Sequence, residues 1–396
     1  MSAPEQDSQW TFCRQALAQL RPFALCCFPG ESRLRLFAAA KPNWPNKTNW
    51  SNKPNWTNKT NSTIAAEGGC FEIVPWLGKF ADRISLPAVD AAVAAEKACC
   101  EAFAGEALGG EALGGEVKAC EALEYEAQPE ISRERYLQEV AAVIESCAAR
   151  KGKTVYSRVI AGCNPRLDIV DAAQRLFAAF PDAFCFLYYT PQTGCWLGAS
   201  PETLLSVDYL QNSFSTMALA GTRKADASDA PWDEKNLREN RFVVDFFREK
   251  LAAAKSTDVA ITEPFTVRYG AIEHLCCRVA GRLGKDDAAG VSAALLDAIN
   301  PTPALCGTPT ADAIADIERH ELHCRGCYGG YLALRDGHRL DAFVNLRCAQ
   351  IALDDTGRFE LYAGGGITGQ SDPESEYTET ADKASALLGI LSAVEQ

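Results

Sequence analysis

From Ile131 to the C-terminus, helical spacing alternates with short apolar runs bounded by turn signals, and this succession constrains the fold more than any other feature. ERYLQEVAAVIESCAAR (134–150) places apolar residues at steps of three and four, and KTVYSRVIAG (153–162) behind it reads as a strand. DIVDAAQRLFAAFP (168–181) is an amphipathic helix ended by its proline. FCFLYYT (184–190) and CWLGASPETLLSVD (195–208), separated by PQTG, read as a hairpin. DEKNLRENRFVVDFFREKL (233–251) predicts a helix with the apolar stripe Phe242, Val243, Phe246, Phe247 and Leu251. An extended stretch, a helix, a loop and the strands FVNLRCAQI (343–351) and FELYAGGGI (359–367) follow. Antiparallel hairpins mixed with long helices predict an α+β (mixed α/β) architecture.

The first third reads differently. Residues 9–40 carry helix-like and strand-like patterns, after which KPNWPNKTNWSNKPNWTNKTNST (41–63) is a degenerate repeat with no core-forming period and reads as a mobile loop. A second biased segment from Ala91 to about Pro129 contains GEALGGEALGGE (105–116), and reads as an acidic, partly helical insertion without chemistry of its own.

Charge narrows the partners. A formal net charge of −13 argues against a nucleic-acid backbone or an anionic membrane, both of which need a basic surface. No run of about 18 apolar residues is present to span a bilayer. MSAPEQDSQW lacks the basic and apolar regions of a signal peptide, so a cytoplasmic location is expected. The 17 cysteines lie in apolar runs such as ALCCF (24–28) and HLCCRVA (274–280), where reduced, buried thiols are expected.

One segment asks for chemistry. YAGGGITGQSDPESEYTETADK (362–383) sets three glycines before Glu376, Glu379 and Lys383, which share one face if the stretch from Ser375 is helical. Two like charges on one face repel, and a divalent cation with oxygen ligands would turn that repulsion into coordination. The plainer alternative is a solvated helix face.

Together with SPETLL, AGTR, RENRFVVD, EHL, NPTPALCGTP, the E-x-x-x-R-x-x-Y-G-G string from Glu321 to Gly330, and VNLR, this segment resembles the chorismate-utilising enzymes. That family includes isochorismate synthase, salicylate synthase, anthranilate synthase component I and aminodeoxychorismate synthase component I. The resemblance covers 131–396, expected as a chorismate-binding catalytic domain. Residues 1–130 correspond to a variable N-terminal half with insertions at 41–68 and 91–129. It implies two stacked, largely antiparallel β-sheets flanked by helices, with a Mg2+ site between them.

Residue by residue, the resemblance makes Lys153 the base that activates water and Glu202 the acid that protonates the departing C4 hydroxyl of chorismate. Glu239, Glu376 and Glu379 would hold Mg2+. His274, Ala304, Tyr328, Arg347, Gly364 and Lys383 would contact the substrate, a small dianion whose carboxylates suit the planar fork of Arg347. Water would add at C2, giving isochorismate, which would feed menaquinone, a catechol siderophore or another route. Ala220 and Ala304 stand where amine-transferring relatives carry lysine and threonine, which turns the expectation away from amination. The chain departs from many relatives at Asn240 and Asn300, where they carry histidine. No glutaminase subunit is expected, and a monomer is the default.

Three rivals remain. Salicylate synthase shares the base, acid and metal and adds pyruvate elimination. A non-catalytic interaction module would use the biased insertions. HELHCRGC (320–327) gathers His320, His323, Cys324 and Cys327 as a conceivable zinc set, although one continuous segment rarely supplies all four ligands.

Overall fold

The computed structural model describes residues 3–38, 69–77, 83–87, 127–225, 230–254, 256–284 and 288–393. The insertion at 41–68 lies outside them, as does the one at 91–129 up to residue 126. Helix α1 (Ala3–Ala18) leads into the hairpin of β1 (Phe23–Cys27) and β2 (Leu34–Ala38), and β3 (Cys70–Val74) pairs with β4 (Ile84–Pro87). There follow α2 (Arg133–Arg150), β5 (Lys153–Cys163), α3 (Ile169–Ala179), β6 (Phe184–Thr190), β7 (Gly194–Ser200), β8 (Thr203–Asp208) and β9 (Ser213–Lys224). Helix α4 (Glu234–Ala253) precedes β10 (Thr257–Ile261), β11 (Phe265–Tyr269) and β12 (Ile272–Arg282). Then come α5 (Ala288–Ile299), β13 (Gly307–Thr308) and α6 (Thr310–His320). The last elements are β14 (Tyr331–Arg335), β15 (Arg339–Val344), β16 (Cys348–Ile351), β17 (Arg358–Thr368) and α7 (Pro373–Ser392).

These strands form the two stacked antiparallel sheets expected. The first runs β13-β5-β17-β16-β7-β6-β1-β2, and the second β10-β12-β9-β8-β15-β14-β3-β4 with β11 also on β12. The four N-terminal strands are thus built into both sheets: β1 pairs β6, and β3 pairs β14. An inter-sheet core holds the sandwich together, including Phe71, Phe184, Phe186, Tyr188, Trp196 and Phe343. Phe184 of the first sheet stacks on Phe343 of the second with ring centroids 4.1 Å apart. Burying whole aromatic faces supplies much of the driving force for such stacking. Helices α2, α3 and α7 cover the outer side of the first sheet, and α4 and α5 that of the second.

Helix starts follow from local chemistry. Asp233 accepts a hydrogen bond from Asn236 N and starts α4; Asp372 accepts from Ser375 N and starts α7, with Pro373 preset for the first turn. These two caps place the acidic turns that matter below.

Two expected strands are each broken in two. CWLGASPETLLSVD is β7 in one sheet and β8 in the other, and FVNLRCAQI is β15 and β16, again in different sheets. Apolar runs buried on both faces carry no period that would mark where a chain changes sheet.

Candidate active site

The two crossings lie side by side. Pro201 and Glu202 carry the chain from β7 to β8, and Asn345 to Arg347 carry it back from β15 to β16. Val344 N donates to Glu202 O at 3.0 Å, and Ala199 N donates to Arg347 O at 3.1 Å. Arg347 has φ 48°, in the left-handed region, a strain of order 1–3 kcal/mol that persists only where the surroundings fix it. A carboxyl and a guanidinium are thereby set at the seam between the sheets, opening on a cleft of about 640 Å3. Glu202, Glu239, His274, Ala304, Tyr328, Arg347, Gly364 and Lys383 all line this cleft.

At one end the titratable groups stand without ionic partners among the described residues. Glu202 is 3% exposed. Burial pushes its carboxyl up to about 8 against the pull of Lys153 and Lys383, so at neutral pH it carries a proton it can give away. Burial, with Arg347 and Lys383 nearby, keeps the His274 imidazole well below its usual range and therefore neutral. Its Nδ1 lies 3.1 Å from Gly221 O, so Nδ1–H donates there, leaving Nε2 to accept from Arg347 Nη2 at 2.9 Å. Burial lowers the Arg347 guanidinium to about 10, still a cation, and among the described residues no carboxylate pairs with it. A half-buried cation without a counter-ion among the described residues is a site for an anion.

At the other end every charge is paired. Lys153, fully buried on β5, has its Nζ 2.9 Å from Glu239 Oε1 on α4. Lys235, one turn before Glu239, meets Glu376 Oε1 at 2.7 Å, and Lys383 meets Glu379 Oε1 at 2.7 Å and donates to Gly364 O at 2.8 Å. Burial would raise the Glu239 carboxyl, but the ammonium groups of Lys153, Lys235 and Lys383 hold it below its usual value. Glu376 goes the other way, to about 7, through burial and the charge of Glu379. Burial would lower Lys235, yet Glu376, Glu239 and Glu379 together hold its ammonium above the ordinary value.

The glycine run belongs to this crowding. A Cβ at Gly365 would come within 2.9 Å of Glu376 Oε2, and one at Gly366 within 2.2 Å of Glu239 Oε1 and 2.7 Å of Lys153 Cε. Side chains there would push apart the carboxylates and the lysine. β17 pairs with β16 only as far as Tyr362, whereas β5 follows it to Thr368, so the glycine stretch lacks β16 on one edge.

Among the described residues, no three His, Cys, Asp or Glu gather closely enough to cage a metal ion. Magnesium does not need a cage, because it keeps several waters and takes one or two carboxylates plus substrate oxygens. Glu376 Oε2 is buried and has no hydrogen-bond partner among the described residues, with the Glu379 carboxylate raising its affinity for a positive charge. The pair therefore fits a hydrated divalent cation, with Glu239 sharing the same Lys235 field.

All eleven residues singled out from the sequence thus fall in the cleft or against its glycine floor. The sequence reading missed Lys235, although its spacing of four from Glu239 puts both on one helix face. Asn240 is structural: its Nδ2 donates to Ala218 O at 2.9 Å and Leu275 O at 3.1 Å, tying β9 to β12. The conceivable zinc set is dispersed. His320 Nδ1 lies 2.7 Å from Glu139, His323 Nε2 lies 3.1 Å from Ser157 Oγ, Cys327 is buried and Cys324 is exposed.

Fold and site together describe a two-sheet sandwich whose seam presents to an anion a protonated carboxyl and a cation that is unpaired among the described residues. The profile of chorismate binding enzymes matches residues 87–389. The chain belongs to that family. Over 210 residues it is 37% identical to the salicylate biosynthesis isochorismate synthase of Pseudomonas aeruginosa, covering 50% of this chain and 42% of the relative. Over 221 residues it is 33% identical to isochorismate synthase MenF of Escherichia coli K12, covering 52% of this chain and 48% of MenF. The matched segment thus spans about half the length of these relatives. The solved structure of the menaquinone-specific MenF of Escherichia coli superposes with a TM-score of 0.67 at 21% identity, covering 95% of this chain and 91% of that one, which establishes the shared fold.

Proposed function

We propose that the chain isomerises chorismate to isochorismate with Mg2+, by attack of water at C2 and loss of the C4 hydroxyl. The observation that carries this reading is the Glu202 carboxyl, protonated at neutral pH, facing the same cleft as Arg347, which has no counter-ion among the described residues. Arg347 takes a substrate carboxylate through its free N–H groups, and Tyr328 and the open edge at Gly364 border the same anion. Glu202 gives its proton to the leaving C4 oxygen and becomes a carboxylate, stabilised by the nearby Lys153 and Lys383. Lys153 acts as base only as the neutral amine: when its ion pair with Glu239 opens, the ammonium gives its proton to solvent, and the amine then takes the proton of the attacking water. Bound at Glu376, Glu379 and Glu239, the metal would neutralise the ring carboxylate and supply the electrostatic pull of a Lewis acid. With no lysine at 220 and no threonine at 304, amine transfer has no support from these residues.

The names of the matched relatives favour the same product. The proposal also places the protein in the cytoplasm as a monomer acting without a glutaminase subunit. The 14 described cysteines are all free, which fits a reducing compartment. Chromatographic product analysis with purified protein, chorismate and Mg2+ tests the reaction. Isochorismate as the sole product supports it. Salicylate with pyruvate would assign the lyase reaction instead, and unconsumed chorismate would leave the chain a binding protein.

A further inference from the structure

A second pocket, open to solvent and of about 530 Å3, adjoins the cleft between the end of α3, the turn joining β11 to β12, and α7. Its walls are largely apolar, formed by Leu176, Phe180, Ala183, Ala199, Ile272 and Leu387. Arg347 and Lys383 close its inner end, and with Pro201 they are the residues it shares with the cleft. The two cations differ. Lys383 is committed to Glu379 and to Gly364 O, whereas Arg347 donates to neutral His274 and pairs with no carboxylate among the described residues. Asp382 stands on the same wall, its charge countered by Lys224 at 3.3 Å.

Tyr269 OH donates to Pro201 O at 2.9 Å, pinning the β11 to β12 turn over the crossing that carries Glu202. Phe180 stands opposite the turn: a Cβ on Gly270 would lie 3.4 Å from its ring. An apolar pocket ending in a half-buried guanidinium suits a rigid apolar body bearing one negative charge. Phe180 and Tyr269 line it, and their ring edges and faces favour an aromatic body over a flexible chain, which would lose rotamer freedom on entry.

We propose that this cavity is a binding site for an aromatic monocarboxylate, with its carboxylate on Arg347 and its ring against the apolar wall of α3 and α7. Because Arg347 also faces the cleft, an occupant competes with an anion there. That consequence rests on the proposed function, since loss of pyruvate from isochorismate gives an acid of this class and the site would then restrain the enzyme when such acids accumulate. The binding itself does not rest on it.

The test is calorimetric titration of 1-naphthoate into the purified full chain without chorismate or metal, with Ala386→Glu and Ala386→Lys alongside. Ala386 lines the cavity from an exposed position on α7, so neither change disturbs the core. Saturable binding is expected, at least tenfold weaker in Ala386→Glu, undiminished in Ala386→Lys, and absent for the uncharged 1-naphthalenemethanol. Equal affinity in wild type and Ala386→Glu would place the ligand elsewhere and overturn the proposal, as would no binding. A chain that binds naphthoate in this pattern but leaves chorismate unconsumed would refute the proposed function alone.

Discussion

The two ends of the cleft are built on opposite electrostatic plans. At the glycine end, three lysines face three glutamates in pairs: Lys153 with Glu239, Lys235 with Glu376, and Lys383 with Glu379. At the crossing end, Glu202, His274 and Arg347 have no ionic partners among the described residues: one acid is protonated, one imidazole is neutral, and one guanidinium waits for an anion. Paired charges hold geometry and change little when the solvent does. Unpaired buried groups hold free energy that is released only when a substrate or a developing charge meets them. The contrast separates a holding end, whose Lys153 acts only once its ion pair opens, from a reacting end, and it can be broken at either.

The largest effect belongs to the reacting end. Glu202→Gln keeps the shape and the neutral charge but removes the proton, so kcat for chorismate should fall by roughly 10²–10⁴ with KM little changed. Steady-state kinetics showing less than a tenfold loss would erase the distinction between the ends. The same contrast predicts a different outcome for Lys153→Met. It strands the buried Glu239 carboxylate, so besides losing turnover it should cost about 3–5 kcal/mol in denaturant unfolding, whereas Glu202→Gln should not destabilise the chain at neutral pH.

Arg347→Lys keeps the charge but loses the planar fork. One or two charge-assisted hydrogen bonds to the substrate are worth about 1.5–3 kcal/mol, so KM should rise about 10- to 100-fold with a smaller change in kcat. A fall in kcat with unchanged KM would move Arg347 from binding to the chemical step.

The pH dependence of stability is a further way to break the contrast. Burial raises the Glu202 carboxyl from 4.5 unfolded to about 8 folded, so the folded chain keeps a proton that the unfolded chain has lost across that window. Stability therefore falls as pH rises through the window. Relative to Glu202→Gln, the wild type should lose stability between 4.5 and about 8, and turnover should decline above about 8. A stability difference independent of pH would contradict the assignment.

Much of the holding end was legible in the sequence, because it lies on regular elements. Helical spacing alone sets Glu376, Glu379 and Lys383 on one face, and the glycines ahead of them announce a close approach. Lys235 obeys the same spacing and was passed over because nothing in the RENRFVVD motif marks it. The reacting end was legible only through the family resemblance. Glu202 and Arg347 sit in breaks inside apolar runs, and hydrophobicity looks the same whether a chain continues in one sheet or crosses to the next. Register at the seam is fixed by hydrogen bonds between the two crossings, which join residues more than a hundred positions apart. The conceivable zinc cluster shows the converse: closeness in sequence did not become closeness of ligating atoms, because His320 and His323 face Glu139 and Ser157 instead.

The protonation state of Glu202 in the folded protein tests the division most directly. Infrared difference spectroscopy of wild type against Glu202→Gln, titrated through neutral pH, should show a carboxylic-acid band that belongs to Glu202 and disappears with a midpoint of about 8. A band already absent at neutral pH, with a midpoint near the ordinary 4.5, would contradict it.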